Sequence, residues 1–284
     1  MEKNSFNQKK FFLIGICIFI ILMGIFTFTD LKIAMWIYNP NSIFGRVFEI
    51  IGTLPLPIVG VFACVALIIS SECKFCLKTI ISWIFGVILL GYNLLVGTIC
   101  IVYQVKESLI PMVLFMLIWL IVSILLCLRI VRNGKREELN RAAIVGVVGC
   151  AVAVFGVSYI KSFVSRERFY RLADPLKDFT YWFEIQSVKI QDASFPSGHS
   201  AQAAVSFFLM FVPTFAKKFD TLIYKRIAIV FASVFTLCVM ISRMVLGMHF
   251  ATDVLFGATM TIITYFVMWH ITGWYHKKYR LKNL

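Results

Sequence analysis

Charge is what this chain has least of. Of its 284 residues, 15% are Asp, Glu, Lys or Arg and 60% are apolar, and the mean hydropathy is +0.88. A soluble domain carries nearer a quarter charged residues, so composition excludes a water-exposed globule. Acids are scarcer than bases, 14 against 28, and histidine occurs only four times. Strict apolar/polar alternation is absent, which removes a membrane β-barrel and leaves helices as the way to satisfy the backbone in lipid. There is no Asn-x-Ser/Thr acceptor, which is in keeping with a bacterial cell membrane rather than a secretory-pathway one. Internal repeats and low-complexity segments are also missing.

What is present is a series of long uncharged runs, near 11–29, 50–71, 79–103, 108–128, 142–160, 200–216, 227–242 and 254–275. Each approaches the roughly 20 residues a helix needs to cross about 30 Å of hydrocarbon. The expected fold is therefore all-α, a polytopic transmembrane helix bundle of about eight spans, with the two shortest runs lengthened by their polar ends. The first run follows Lys9 and Lys10 and shows no small-residue cleavage site before Thr29-Asp30, so it reads as a retained helix and not a signal peptide.

A formal charge of +14 raises the possibility of a nucleic-acid binder, and the distribution of the bases answers it. With the N-terminus placed inside, the inner segments 1–10, 71–78, 129–141, 217–226 and 274–284 hold 18 of the 28 Lys and Arg. That bias sets orientation: both termini are expected in the cytoplasm, and no nucleic-acid partner is implied. The cysteines are mostly in apolar runs, where they act as small hydrophobes. Cys73 and Cys76 form a lone C-x-x-C with no second pair or nearby His, so neither metal nor redox chemistry follows.

The longest stretch between runs, 161–198, falls outside, and most of the polar chemistry gathers there. Its aromatic cluster Phe179, Tyr181, Trp182 and Phe183 reads either as an interfacial helix or as a loop packed on the bundle. A second outer segment, 30–49, contains "MWIYNPNSIF" and reads as a cap or interface element.

Three clusters converge on this outer face. In "KSFVSRER", Lys161 and Arg168 are seven apart and would share a face if the helix continues, while Arg166 competes as the relevant cation. Pro196-Ser197-Gly198-His199 opens the sixth run. Proline is pre-organised for a first helical turn, glycine lets a ligand approach the backbone, and helix starts present free N–H groups to anions. In "SRMVLGMHFATD", Asp253 lies four residues after His249, where its carboxylate can fix one imidazole nitrogen and leave the other as a nucleophile; Arg243 ends the preceding run. Charges at the ends of apolar helices are costly and are retained mostly for function. Three cations, a helix start and two histidines suit phosphoryl transfer, where charge spreads over three oxygens and the protein holds it. No metal or cofactor is required, and the several carboxylates that Mg²⁺ would want are missing. His270, inside the last run, and His276, in the basic tail, have no such partners and read as structural or solvated.

Lys161-x6-Arg168, Pro196-Ser197-Gly198-His199 and Ser242-Arg243-x5-His249-x3-Asp253 together resemble the three-part signature of the type-2 phosphatidic acid phosphatase superfamily, in its membrane lipid phosphate phosphatase branch. The resemblance implies that His249 is the nucleophile forming a phosphohistidine, Asp253 its partner and His199 the acid for the leaving group. Lys161, Arg168, Ser197, Gly198 and Arg243 would hold the phosphate. One departure is visible: the family's first motif usually ends Arg-Pro, and Phe169 follows Arg168 here. The family's six-helix core implies that two N-terminal spans are an addition, so that 1–141 holds N-terminal spans and 142–284 the phosphatase core. The implied activity is metal-independent removal of the terminal phosphate from a lipid phosphate or pyrophosphate at the outer leaflet of a cell membrane. Phosphatidic acid, phosphatidylglycerophosphate and a polyprenyl (undecaprenyl) pyrophosphate are the candidates. Competing readings are a vanadate haloperoxidase, which the spans argue against because those enzymes are soluble, and an inactive lipid-phosphate binder or transporter, for which inverted repeats are lacking.

Overall fold

The computed structural model describes residues 2–70, 124–131, 134–190 and 192–273, with a few single positions between 80 and 122. The runs expected at 79–103 and over most of 108–128, with Cys73, Cys76 and His276, lie outside the described residues.

Every regular element among the described residues is helical. Besides a single turn at Pro175–Asp178 and short 3₁₀ and π stretches, these are in chain order α1 (Glu2–Ile37), α2 (Ile43–Ile51), α3 (Pro55–Ser70), α4 (Arg136–Ala151), α5 (Val157–Val164), α6 (Gly198–Ala204), α7 (Val212–Phe215), α8 (Leu222–Val245) and α9 (Ala251–Ile271). Among the described residues, five segments are long and apolar enough to cross a membrane: Leu13–Ile37, Ile43–Ser70, Arg136–Arg171, Leu222–Val245 and Ala251–Ile271. They correspond to five of the eight expected runs.

The sixth run behaves differently. Over Gly198–Phe215 the chain winds as α6, a 3₁₀ stretch Val205–Phe211 and α7. A 3₁₀ helix rises about 2.0 Å per residue against 1.5 Å in an α-helix, so this composite reaches about 30 Å, close to a hydrocarbon core. The run gains length from this 3₁₀ winding and from a start two residues earlier, at Gly198. The other short run is instead extended at both ends, into α8.

α3 and α4 form the centre, packed against each other and against α6, the 3₁₀ stretch and α9. Leu56, Val61, Val145, Val205, Phe208 and Tyr265 are buried where they meet. α1 lies outside against α9, and its Phe28 and Trp36 are exposed, as suits a helix facing lipid.

Several features bring the polar residues to one end of this bundle. A π-helical turn at Val152–Gly156 precedes α5, which ends where Ser165 adopts the left-handed conformation, φ 51°. The helix therefore does not continue to Arg168, and the expectation that Lys161 and Arg168 share a helical face fails. A loop returns Arg168 instead. Between α8 and α9 the chain turns at Gly247, whose φ of +68° favours glycine and whose missing Cβ leaves room for the Tyr38 ring. At Gly257 a Cβ would stand 2.3 Å from the Ser197 carbonyl oxygen, so glycine lets α9 pass directly against the head of α6.

The segment 179–186 is not helical but is a packed loop. Trp182 stacks on Phe195 and donates to Thr27 Oγ1 at 2.9 Å, and Phe179 meets Phe250 edge-on. The turn between α1 and α2 caps the same end: the Asn39 N–H donates to Val245 O at 2.8 Å, and Tyr38 packs edge-on against Phe169.

Candidate active site

Four helix ends and two loops meet here. Lys161 comes from the last turn of α5, Ser197 caps α6 with His199 in its first turn, Arg243 lies in the last turn of α8, and His249 and Asp253 bracket the start of α9. Arg168 enters from the loop after α5.

His249 is 2% exposed. Its Nδ1 lies 2.7 Å from the Ser194 carbonyl oxygen and 3.9 Å from Asp253 Oδ2. A carbonyl can only accept, so Nδ1 carries the hydrogen and Nε2 keeps a lone pair. The expected bond from imidazole to Asp253 is thus replaced by one to the backbone. The reason is local: Asp253 is the third residue of α9, and its Oδ2 turns back to accept from Phe250 N at 2.8 Å, capping the helix. Oδ2 also accepts from the Ser194 hydroxyl at 2.5 Å, while Oδ1 accepts from Arg166 Nη1 at 2.8 Å.

Arg166 is fully buried and belongs to this support, not to the cation cluster. It pairs with Asp253 and, at 3.1 Å, with Asp30 of α1, donates to Thr180 O and Thr252 Oγ1, and lies 3.9 Å over the Phe250 ring. Asp30 in turn accepts from the Thr252 N–H at 3.0 Å and from the Thr252 hydroxyl. Two carboxylates around one guanidinium, with each of its three nitrogens bonded, satisfy the demand that buried charge be paired.

The remaining cations are differently placed. Lys161 Nζ donates to the carbonyls of Ala193 and Ser194, leaving one of its three N–H donors. Arg243 Nη1 lies 2.9 Å from Glu49 Oε1. Arg168 Nη1 lies 3.3 Å from Met248 Sδ. The Nε–H groups of Arg168 and Arg243 are both buried with no protein acceptor. Such donors are expensive to leave unmatched, and an anion with several oxygens suits them. Burial and the charges of Lys161, Arg168 and Arg243 hold His249 well below its ordinary pKa, so the ring stays neutral.

Ser197 is fully buried, its N–H donating to Asp253 O at 3.0 Å. Its Oγ accepts from Ser200 N and Ser200 Oγ, which leaves its own O–H to donate. Gly198 adds no side chain beside it, and a Cβ there would meet only Val157 at 3.8 Å. His270 lies far along α9, its Nδ1 2.9 Å from Phe266 O one turn earlier.

All eight residues singled out from the motifs lie at this one end. Sequence reasoning missed Ser194, Asp30 and Glu49, and left Arg166 as a rival to Arg168. Asp30 and Glu49 each offered one signal, an acid beside an apolar run; Ser194 acts at His249 through its backbone oxygen, which no residue type announces.

Residues 142–277 match the family model described as PAP2 superfamily. A curated relative, phosphatidylglycerophosphatase B of Bacillus subtilis (strain 168), is 38% identical over 80 residues, covering 26% of this chain. The chain spans 37% of the length of that relative. No solved structure matches the chain.

Proposed function

We propose that the protein is an integral membrane phosphatase that removes the terminal phosphate of a lipid phosphate or pyrophosphate at the outer leaflet; the match of residues 142–277 to the PAP2 superfamily model supports this. One observation carries this reading: a buried, neutral His249 with its proton fixed on Nδ1 and its Nε2 free, beside three cations and a second histidine. The likeness to a phosphatidylglycerophosphatase supports the lipid phosphate class. The excess of Lys and Arg on the inner segments supports the outer leaflet.

The chemistry proceeds in two displacements. His249 Nε2 attacks phosphorus in line, an N–P bond forms, and the bond from phosphorus to the leaving oxygen breaks. His199 in its protonated form gives that oxygen its proton. Lys161, Arg168, Arg243, the Ser197 hydroxyl and the backbone N–H at Gly198 hold the three equatorial oxygens as their charge redistributes. The bound dianion offsets the cations, which lets His199 take up the proton it donates. Water then attacks the phosphohistidine while His199 accepts its proton, releasing inorganic phosphate and restoring neutral His249. Asp253 is a positioning residue: it holds the Ser194 hydroxyl, the start of α9 and Arg166, and so holds the carbonyl against which His249 is set.

The test is phosphate release by the purified full chain in detergent micelles. Wild-type protein is expected to release phosphate from the lipid candidates, and His249→Ala to lose it. Activity retained by His249→Ala removes the assignment of the nucleophile.

A further inference from the structure

A cavity of about 280 Å³ opens beside the phosphate-binding cations, between the α1–α2 turn and the loop at Tyr170. Tyr38, Arg46, Glu49, Tyr170 and Met248 are among its walls. Two of these also touch the cations: Glu49 holds Arg243 at 2.9 Å, and Met248, next to His249, lies against Arg168. Cavity and catalytic centre therefore share a wall. With a phosphate held by Arg168 and Arg243, the next part of the substrate borders this cavity.

The chemistry of the cavity is mixed. Arg46 is exposed, and among the described residues its side chain makes no hydrogen bond or ion pair. Glu49 follows one turn later on the same helical face, drawn in by Arg243. Its carboxylate repels an anion at its own position and accepts from a hydroxyl, whereas the Arg46 fork matches phosphate oxygens in pairs. An anionic group is thus directed to Arg46 and an uncharged, hydroxylated linker to Glu49.

We propose that this cavity receives the part of the substrate immediately behind the scissile phosphate, and that Arg46 binds a second phosphate there. The preferred substrates are then lipids with two phosphate groups on one head, either a phosphodiester followed by a terminal monoester or a pyrophosphate. A lipid with a lone phosphomonoester is the poorer substrate. This rests on the phosphatase reading above, and it names the substrate class of that site.

The experiment compares initial rates of the full chain in mixed micelles on phosphatidylglycerophosphate, an isoprenyl pyrophosphate and phosphatidic acid. Wild-type kcat/KM is expected to favour at least one two-phosphate lipid over phosphatidic acid by about tenfold or more. Arg46→Gln should cut that ratio by about fivefold or more, mainly through KM, and Arg46→Lys should keep most of it. Loss confined to one two-phosphate lipid tells which spacing Arg46 reads. An equal fall on all three lipids means Arg46 only attracts anionic surfaces, and an unchanged ratio means it reads nothing; either overturns the proposal. Binding of the same lipids to His249→Ala protein separates the two readings. If the wild type releases no phosphate but the two-phosphate preference in binding persists and is lost with Arg46→Gln, the phosphatase reading falls and the subsite stands. If phosphate is released with no such preference, the subsite alone falls.

Discussion

The imidazole of His249 is held by the backbone oxygen of Ser194, 2.7 Å from Nδ1, while the nearer oxygen of Asp253 stands 3.9 Å away. The acid four residues downstream works at one remove. It fixes Ser194, Arg166 and the first turn of α9, and these fix the histidine.

That arrangement separates two substitutions. Ser194→Ala keeps the carbonyl and removes only a hydroxyl, a bond of about 1–3 kcal/mol in stability, so kcat is expected to fall by less than about tenfold. Asp253→Asn leaves Arg166 with Asp30 as its sole carboxylate and is expected to cost about 3 kcal/mol of stability and more than about a hundredfold in kcat. Thermal melts and single-substrate kinetics check both. Equal damage from the two would show that the hydroxyl, and not the carbonyl, sets His249.

Arg166 and Arg168 are two residues apart and do different work. Arg166→Ala is expected to destabilise the fold by about 3–5 kcal/mol, since it strands Asp30 and Asp253 as buried carboxylates. Arg168→Ala should melt within a few degrees of wild type and lose activity, because its Nε–H has no protein acceptor to lose. The comparison needs only melting curves and phosphate release from the same preparations.

This pair also shows where the sequence was legible. Motif spacing singled out Lys161, Arg168, His199, Arg243 and His249, which the fold brings to one end, because such side chains recur at set intervals on helix ends. It put Lys161 and Arg168 on one helical face only if the helix continued, and the left-handed Ser165 ends that helix. Runs of apolar residues disclosed the all-helical class, yet nothing in the composition of 205–211 announced 3₁₀ winding. Asp30 stayed hidden because its partner Arg166 is 136 residues away, a pairing only the packing of α1 on α9 creates.

The pH dependence follows from His249. Its pKa is depressed by burial and by Lys161, Arg168 and Arg243, so the neutral, nucleophilic form persists below pH 6.5. The acid limb of kcat/KM attributable to this group is expected below 6.5. The sign for stability is also set. The unfolded chain binds a proton near pH 6.5 that the fold refuses, so the contribution of His249 to stability is full above 6.5 and declines as pH drops through it. Rate profiles and melting temperatures between pH 5 and 8 test this, and an acid limb well above 6.5 would contradict it.

In the proposed mechanism side chains meet the charge on the transferred group, so phosphate release is expected to stay within about twofold when EDTA is added. Vanadate, which takes the shape of the transferring phosphoryl group, is expected to inhibit. A chelator-induced loss that Mg²⁺ or Zn²⁺ restores would require a metal in the mechanism.

The most direct measurement is to trap the covalent intermediate. Lipid substrate labelled in its terminal phosphate is mixed with the full chain, quenched within a turnover, and the labelled peptide mapped. An acid-labile, base-stable phosphoryl group is expected on His249, absent from His249→Ala protein, whose rate should fall by at least about a thousandfold. Label on His199 or another residue, or turnover retained by His249→Ala, would contradict it.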